Sequence, residues 1–483
     1  MDDFSDILLQ IDDSLYAFVV VGLLLICGIY FTFRTKFIQI RLIPDMFKYV
    51  KDKKVTKGKK TMSSFQALMV STGSRVGTGN IAGIATAIIM GGPGAVFWMW
   101  ILAIIGASSA FAESTLAQLF KKKNDDGSFR GGPAYYIEQG LKNRWLGIVF
   151  SISLIFTFAI GFNALQAFNA ISTLDYYFEP FGFNIDIVHI IAGLVLMILT
   201  AAIIFGGMKS IGNVSSVIVP IMALLYIFIA LLTIFTNLGC MGEVFSVIFE
   251  NAFSVQSILA GTAGAALLYG TKRGLLSNEA GMGSAPNAAA SASVTHPVKQ
   301  GLIQSLSAYI DTFLICTSSA FMVMLFCVQS PDIAYSLNGM PLVQKAITTT
   351  IGDFGTHFMT VAIFFFAFSS IIGNYSYAES NFSFITKNNE ALFCFRVFCL
   401  LPIVFGALSS LDIAWCTADI FMAIMAVINI ISIILLSKWV IKLLKDYENQ
   451  KKQGLEPVFC IDEYQDFPDV ECWHVGRQEA LKQ

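Results

Sequence analysis

Long apolar stretches, separated by short charged or glycine-rich breaks, recur along the whole chain of 483 residues. A bilayer core about 30 Å thick requires roughly 20 apolar residues in each helix that spans it. Stretches of that length predict eleven membrane spans, at residues 15–33, 63–90, 94–120, 145–172, 187–206, 212–237, 255–290, 298–328, 356–380, 391–410 and 413–440. The pattern therefore predicts an all-α integral membrane protein.

Span two is not expected to be a uniform helix. Four glycines stand in its middle third, at positions 73, 77, 79 and 83, and each costs about 1 kcal/mol relative to alanine in a helix. Hydroxyl and amide side chains stand among them, at Ser71, Thr72, Ser74, Thr78 and Asn80. Backbone groups freed at this depth are tolerated only where they line a cavity or meet other protein groups. A close-packing face would explain Gly79 and Gly83 but not the hydroxyls and the amide, so a broken helix with a binding role is favoured.

Span seven shows the same features. Gly270 and Gly274 flank a cationic pair, Lys272 and Arg273, and the polar or helix-interrupting residues Ser277, Asn278, Glu279, Gly281 and Pro286 follow. A second interrupted helix is therefore predicted here.

The two interrupted spans divide the chain. They are the first members of two consecutive sets of five spans, residues 63–237 and 255–440, and because five is odd the second set is predicted to be inverted. Interrupted helices at corresponding positions of inverted repeats indicate the binding site of a secondary transporter. Residues 1–62 are then an extra N-terminal helix with a basic loop, and residues 441–483 are a tail.

Charge is scarce and one-sided. Only 13% of the residues are charged, whereas a soluble domain carries about 25%. With the N-terminus outside, 27 of the 31 basic residues fall in inner loops and the tail, as the positive-inside rule requires. The net charge of -2 offers no polycationic surface for nucleic acid. The nine cysteines show no spacing typical of a zinc site or a disulfide framework.

Three basic residues, Arg75, Lys272 and Arg273, remain within the spans. A charge at the centre of a lipid-facing helix costs at least ~2.5–3.5 kcal/mol, so we expect each of them to face a cavity, a partner or the inner interface. Acids available as partners also lie in or near spans: Glu113, Glu279, Asp311 and Glu379. An ion pair is favoured for Arg75. For Lys272 and Arg273, snorkelling, an inner-gate salt bridge and a substrate role stay open.

Several long motifs occur in the chain, in this order: VGTGNIAGIATAI, GGPGAVFWMW, RGGPAYYIEQGL, RGLLSNEAGMGSAPNAAA and HPVKQGL. In these motifs the chain resembles the bacterial alanine/glycine:cation symporters, or sodium:alanine symporters, from about residue 63 through the last span. The resemblance implies a leucine-transporter-type fold of inverted repeats with one extra N-terminal helix. It also implies Na⁺-driven, less often H⁺-driven, uptake of a small neutral amino acid across the inner membrane, without a cofactor or an enzymatic step.

The resemblance further implies which residues bind. The substrate carboxylate would meet backbone N–H groups near Thr78 and Gly79, and Gln166 would hydrogen bond the substrate, although an interhelical hydrogen bond is the alternative for Gln166. The implied substrate site comprises Thr72, Gly73, Gly77, Thr78, Gly79, Asn80, Gln166, Gly270 and Asn374. The implied Na⁺ ligands are Gly73, Val76, Ser369 and Ser370. Carbonyl and hydroxyl oxygens are hard ligands that suit Na⁺, but serine hydroxyls also bond carbonyls of their own helix.

Two positions depart from the family pattern. Asn374 stands where many members have tryptophan, and Arg75 stands where many have a small residue. Loss of an indole would enlarge the pocket, and an amide would offer a partner to a polar substrate side chain. Beside the alanine or glycine that the resemblance implies, we therefore expect that a substrate larger than alanine fits, with glutamine as the first candidate.

Other functions are open at this point. A channel also places polar groups at mid-membrane depth, but it does not need two interrupted helices in inverted halves. An intramembrane enzyme is less favoured, because the four histidines lie far apart and form no H-E-x-x-H motif.

Overall fold

The structure is a computed structural model that describes residues 14–52, 61–124, 127–253, 262–408, 411–468 and 470–474. This part of the chain is almost entirely helical. Its helices, α1 to α23 in chain order, are Val21–Arg34, Ile38–Arg41, Ile43–Val50, Ser64–Arg75, Ala82–Gly91, Ala95–Leu119, Pro133–Leu141, Arg144–Ile155, Asn163–Ile171, Asp175–Phe178, Ile185–Ile204, Gly207–Thr236, Met241–Phe253, Thr262–Asn278, Ala285–Ser291, Pro297–Tyr309, Thr317–Gln329, Pro331–Ala334, Gly339–Ile351, Asp353–Ile385, Asn389–Ala407, Leu411–Leu435 and Ser437–Lys452. A short antiparallel pair of strands, β1 (Lys122–Lys123) and β2 (Phe129–Arg130), follows α6.

Eight helical stretches of the described chain are long and apolar enough to cross a membrane. They are Ala95–Leu119, Arg144–Phe181, Ile185–Ile204, Gly207–Thr236, Pro297–Gln329, Asp353–Ile385, Asn389–Ala407 and Ala418–Leu435. The three remaining predicted spans are the short helix α1 and the two interrupted pairs, α4 with α5 and α14 with α15. Together they account for the eleven predicted spans.

The helices differ sharply in burial. α11 and α12 present large apolar side chains at the surface, among them Ile198, Leu224 and Phe228, each more than 60% exposed. Such surfaces are expected where lipid replaces water as the solvent. α6 and α16 pack against each other in the interior, and most of their residues are buried. The interrupted helices also lie against this central pair.

Local sequence signals explain several helix starts. Ser63 begins α4 with a capping box, since its hydroxyl accepts the Gln66 N–H at 3.1 Å while the Gln66 side chain accepts the Ser63 N–H. Pro133 opens α7 at the first helical position, where a backbone N–H would have no partner within the helix, so its absence in proline costs nothing. Asn143 caps α8 through the Leu146 N–H at 2.9 Å.

The segment after α23 folds back onto one end of the helix bundle, which we call the tail end. The Phe459 N–H donates to the Thr295 carbonyl at 2.9 Å. The Trp473 indole N–H donates to the Gln118 carbonyl, at the end of α6, at 3.0 Å. The tail, to which the sequence assigned no role, therefore packs where α6 ends and α16 begins.

Candidate binding site at the interrupted helices

The first interruption lies between α4 and α5. α4 ends at Arg75, one 3₁₀ turn covers Thr78–Asn80, and α5 begins at Ala82. Short-range bonds replace the helical ones, such as that from the Gly77 N–H to the Arg75 carbonyl at 2.8 Å. Residues 67–88 are all buried. The glycine-rich stretch thus forms a break in the protein interior.

Two amide side chains of α9 reach this break. The Thr78 N–H donates to Gln166 Oε1 at 2.8 Å, and Asn169 Nδ2 donates to the Thr78 hydroxyl at 3.1 Å. Both amides are buried. A backbone N–H released from helical bonding is therefore satisfied by a side chain that can rotate away.

Glycine is required at position 77 because neighbouring side chains lie too close to leave room for a Cβ. A Cβ at this position would lie 2.5 Å from the Ser370 hydroxyl oxygen and 2.7 Å from both amide heavy atoms of Gln166. Real Cβ atoms do not approach other heavy atoms so closely. The break, α9 and α20 therefore converge on one point.

The serine pair of α20 meets the same segment. The Ser370 hydroxyl donates to the Gly73 carbonyl at 2.9 Å. The Ser369 hydroxyl donates to the Phe366 carbonyl of its own helix at 3.0 Å, and Ser369 Cβ would lie 3.8 Å from a Cβ placed on Gly73. Val76 lies at the end of α4, where its N–H bonds the Thr72 carbonyl at 2.7 Å. Hydroxyl and carbonyl oxygens therefore gather beside the break.

Other residues of the implied substrate site lie around this point. The Thr72 hydroxyl lies 3.0 Å from that of Ser307, and Gly79 packs against Leu276. Asn374 accepts from the Ser74 hydroxyl at 2.6 Å and donates to Asn163 Oδ1 at 3.1 Å. These contacts tie α4, α9, α14, α16 and α20 together.

Asn80 ends the 3₁₀ turn and faces two ways. Its Oδ1 accepts the Gly77 N–H at 3.3 Å. Its Nδ2 lies 3.3 Å from the Ser277 hydroxyl and also bonds the carboxylate of Asp311. Asn80 therefore links the first break to α14 and to the π turn Ile310–Cys316 that follows α16.

The second interruption lies after Gly270 and Gly274, in the later part of the segment predicted to be interrupted. α14 runs unbroken through Gly270 and Gly274 to Asn278, and the break follows, with positive φ at Glu279 (51°), Gly281 (83°) and Gly283 (89°). Gly270 instead allows close helix packing, because a Cβ there would lie 2.6 Å from the Ala95 carbonyl oxygen of α6. The structure thus places Gly270 apart from the other implied substrate ligands.

A carboxylate from α6 holds the second break. Glu113 accepts the N–H groups of Gly281 at 3.3 Å and Gly283 at 3.1 Å. It also accepts from Asn429 Nδ2 at 2.8 Å, while Asn429 donates to the Gly281 carbonyl at 2.9 Å. The side chain of Glu113 is fully buried. Freed backbone donors are here satisfied by a charged acceptor, at the start of α15.

The two breaks are joined by a buried ion pair. Arg75 Nε lies 3.8 Å from Glu279 Oε2, and both side chains are buried. Glu279 also accepts from the Ser284 hydroxyl, and the Ser74 hydroxyl lies 3.5 Å from it. Arg75 and Glu279, predicted as an ion pair or gate, therefore bridge the last turn of α4 and the unwound part of the second helix.

The two cationic side chains of α14, Lys272 and Arg273, contact other side chains of the protein. Arg273 makes a two-pronged pair with Asp419, at 2.8 and 3.4 Å. The Lys272 amine lies over the rings of Tyr16 and Tyr269, at 5.1 and 5.5 Å from their centroids. Both side chains thus contact protein groups.

The sequence indicated some of these contacts only in part. Glu113 and Asp311 were recognisable as acids in apolar spans, but nothing in their spacing told which backbone or side-chain donors they meet. Asp419, the partner of Arg273, could have been found by the same signal, a charge inside a span. Asn429 carried no signal, because a single asparagine in a span has no preferred partner.

A cavity of about 450 Å³ opens near the break of the second helix. Its lining includes Met62, Asn287, Ser291, Ser380 and Arg396. It therefore lies between the start of α4, the end of α15 and the second half of α20.

Two interrupted helices, each the first of five spans and joined at their breaks by polar side chains and an ion pair, define a secondary transporter of the leucine-transporter type. The family is settled by comparison with known proteins. A model of the sodium:alanine symporter family matches residues 1–461, and the chain belongs to that family. It is thus a multi-pass membrane protein and a Na⁺-coupled amino-acid symporter.

Two relatives from Bacillus subtilis (strain 168) cover nearly the whole chain. The probable sodium/glutamine symporter GlnT is 44% identical over 467 residues, 96% of this chain and 95% of the relative. The amino-acid carrier protein AlsT is 45% identical over 480 residues, 99% of this chain and 100% of the relative. Among solved structures, a Na⁺-coupled sialic acid symporter in a substrate-bound outward-open state matches with a TM-score of 0.46 and 16% identity, over 88% of this chain and 82% of that chain.

Proposed function

We propose that the protein imports a small neutral amino acid, alanine, glycine or glutamine, together with Na⁺ by alternating access. The observation that carries this proposal is the first break, where backbone groups, Gln166 and Ser370 converge on Gly77. An amino acid carries a carboxylate and an ammonium group, and freed N–H and carbonyl groups can recognise both.

The substrate carboxylate is proposed to take the place now held by Gln166 Oε1. The Thr78 N–H donates to that oxygen at 2.8 Å, and a carboxylate oxygen is a stronger acceptor for the same donor. Gln166 would then rotate and donate to the substrate through its Nε2. Gly77 and Gly79 keep this space free of side chains, and Thr72, Gly73 and Asn80 frame it.

Sodium is proposed to bind beside this position. Its ligands would be the carbonyls of Gly73 and Val76 and the hydroxyls of Ser369 and Ser370. Support comes from Ser370, whose hydroxyl already lies 2.9 Å from the Gly73 carbonyl oxygen. Entry of one Na⁺ down a membrane potential of 100 mV supplies about 2.3 kcal/mol, worth roughly 50-fold accumulation of substrate.

Asn374 is proposed to set the range of substrates. It lies one turn after Ser370, in hydrogen bonds with Ser74 and Asn163. These amides can exchange one hydrogen bond for a bond to a polar substrate side chain. Glutamine is the first candidate for such a substrate, because the relative GlnT, at 44% identity, is named for glutamine.

The topology follows from the distribution of charge. We propose that the N-terminus lies outside and the C-terminus inside a bacterial inner membrane, so that the tail end faces the cytoplasm. The five-helix sets at 63–237 and 255–440 would move against each other. During this movement, the ion pair of Arg75 with Glu279 and the ion pair of Arg273 with Asp419 would either break or stay intact.

Counterflow of labelled amino acid in proteoliposomes tests the proposal. The expected result is counterflow of alanine, glycine or glutamine that requires Na⁺, with chemically unchanged substrate. A competition panel of alanine, glycine, serine and glutamine in both enantiomers, at fixed Na⁺, then ranks the substrates. Conductance without counterflow would indicate a channel, and uptake that follows pH but not Na⁺ would indicate proton coupling.

A further inference from the structure

A basic cavity lies at the tail end of the helix bundle. Its volume is about 610 Å³, and it lies between the two short strands, α7, the start of α8, the end of α20 and the start of α21. Among the described residues that line it, five are basic: Lys122, Lys123, Arg130, Arg144 and Lys387. Two are acidic, Glu138 and Glu471, which leaves an excess of three positive charges. A cleft lined by charges of one sign attracts ligands of the opposite sign, so this cavity is suited to an anion.

The two acids in the cavity already have partners. The Glu138 carboxylate is shared by two bases, since it lies 2.5 Å from Arg144 Nη1 and 3.8 Å from Lys122 Nζ. Glu471 accepts the backbone N–H of Lys123 at 3.0 Å, so part of its hydrogen-bonding capacity is used by an amide. The side chains of Lys122 and Arg144 remain 39% and 55% exposed. A further anion can therefore reach these cations from the cavity.

An apolar groove of about 450 Å³ adjoins the basic cavity. The groove lies between α8, the end of α20 and α21, and Ile385 lines both the groove and the cavity. Its lining also includes Ile152, Phe156 and Phe398, each at least 40% exposed. Contiguous exposed apolar side chains of this kind mark contact with a membrane or a partner. A charged site and an apolar site thus form one continuous surface.

The length of the groove matches one leaflet of a bilayer. Ile152 and Ile155 follow Arg144 by eight and eleven residues along the helical chain, which places them about 12 to 17 Å away along the helix axis at 1.5 Å per residue. Half of a bilayer core about 30 Å thick is about 15 Å. Trp145, next to Arg144, is 73% exposed, and tryptophan is enriched at the membrane–water interface. The basic cavity therefore lies at the level of lipid headgroups and the groove at the level of acyl chains.

We propose that the basic cavity and the apolar groove together bind one anionic phospholipid, with its phosphate in the cavity and an acyl chain in the groove. Basic pockets between membrane helices on the cytoplasmic side bind anionic headgroups, and the tail end is the end proposed to face the cytoplasm. A soluble phosphate compound would meet the same cations but would not use the groove. Because the groove continues the cavity, a lipid is the ligand that accounts for both.

Native mass spectrometry of the purified full chain in detergent tests this proposal, with added phosphatidylglycerol or with phosphatidylcholine of the same acyl chains. The wild-type protein is expected to retain one phosphatidylglycerol, with an affinity about tenfold higher than for phosphatidylcholine. The double variant Lys123→Gln with Lys387→Gln removes two exposed positive charges from the cavity, and it is expected to lose this preference. Cys394→Trp places an indole in the groove at an exposed position, and it is expected to lower the affinity for the lipid about fivefold.

The double variant Lys51→Gln with Lys438→Gln is the matched control for loss of charge. Both lysines are exposed at the tail end, and neither is among the described residues that line the cavity or the groove. This control is expected to prefer phosphatidylglycerol as wild type does. Equal retention of the two lipids by wild type, or equal loss of preference in the two double variants, would overturn the site.

Competition with sn-glycerol 3-phosphate separates a lipid from a soluble ligand. This compound carries the phosphate without acyl chains, so it is expected to displace phosphatidylglycerol only in large excess. Displacement at equimolar concentration, together with unchanged lipid affinity in Cys394→Trp, would make the ligand a soluble phosphate compound and would overturn the lipid. If Cys394→Trp does not fold, wild type decides, because equal affinity for long-chain and short-chain phosphatidylglycerol would also overturn the lipid.

Discussion

The two interrupted helices are held open by different chemistry. At the first break, neutral side chains meet the freed backbone, chiefly Gln166, Asn80 and Ser370. At the second, the carboxylate of Glu113 does so, supported by Asn429, while the carboxylate of Glu279 accepts from the Ser284 hydroxyl. The interruption of a membrane helix is thus stabilised at the first break by neutral side chains and at the second break by buried acids.

This difference separates a binding element from a structural one. A neutral amide or hydroxyl gives up one modest hydrogen bond when a ligand replaces it, about 1 kcal/mol. A buried carboxylate with three donors cannot leave them without a much larger loss. The first break is therefore suited to exchange its partners for a substrate and an ion, and the second is suited to keep its shape while neighbouring helices move.

Replacement of Glu113 by alanine should produce the largest effect. Two backbone N–H groups and the Asn429 amide would lose their acceptor in the protein interior. Loss of one member of such a buried charged network costs roughly 3–5 kcal/mol. We expect strongly reduced stability, measured as a lower thermal midpoint in detergent by fluorescence-detected size exclusion.

Glu138→Ala is the matched control for that variant. Glu138 is half-buried on α7 and pairs at 2.5 Å with Arg144, whose side chain is 55% exposed. Exposed pairs contribute about 0–1 kcal/mol, so this variant should unfold nearly as wild type does. Equal stability of Glu113→Ala and Glu138→Ala would show that the carboxylate does not hold the second break.

Gly77→Ala should have the next largest effect, on transport and not on folding. The added methyl would displace the ends of the Gln166 and Ser370 side chains, which can move, but both belong to the proposed binding groups. Misplacement of such groups by about 1 Å can cost on the order of 100-fold in rate. We therefore expect Na⁺-dependent uptake to fall by about that factor, with little change in the thermal midpoint.

Gly22→Ala provides the comparison for a glycine without neighbours. A Cβ at Gly22 would meet no heavy atom within 4 Å. Uptake by this variant should equal that of wild type. Normal uptake by Gly77→Ala as well would mean that the first break is not where substrate binds.

The sequence predicted the first break better than the second, for a physical reason. Glycine density and neighbouring hydroxyls mark a segment that cannot complete its own helix, and the break lies at Gly77 as expected. At the second helix, Gly270 serves close packing and Gly274 lies within an unbroken helix, and the break occurs at Glu279–Ser284, where a distant acid supplies the missing acceptor. Glycine content predicts that a helix is interrupted, but tertiary contacts determine the residues at which the interruption occurs.

Charges in the spans show the same limit of prediction from sequence. Their presence predicted that Arg75, Lys272 and Arg273 would face a cavity, a partner or the inner interface, since lipid would not accept them. Which acid pairs with which base depends on helix packing, and the partner of Arg273 is Asp419, 146 positions away in the chain. The family motifs add expected roles for Gln166, Ser369 and Ser370 that hydropathy does not contain.

The smallest expected effect concerns the two serines of α20 beside the first break. The Ser370 hydroxyl contacts the unwound segment at the Gly73 carbonyl, whereas the Ser369 hydroxyl bonds the Phe366 carbonyl of its own helix. Loss of a ligand that already faces the site should therefore cost more than loss of one that must first turn. We expect Ser370→Ala to raise the Na⁺ concentration for half-maximal uptake about tenfold, equivalent to 1.4 kcal/mol, and Ser369→Ala only about threefold. Na⁺ titration of uptake at fixed substrate measures both. The reverse order would place the ion nearer Phe366 than Gly73, and no change in either variant would remove the serine pair from the Na⁺ site.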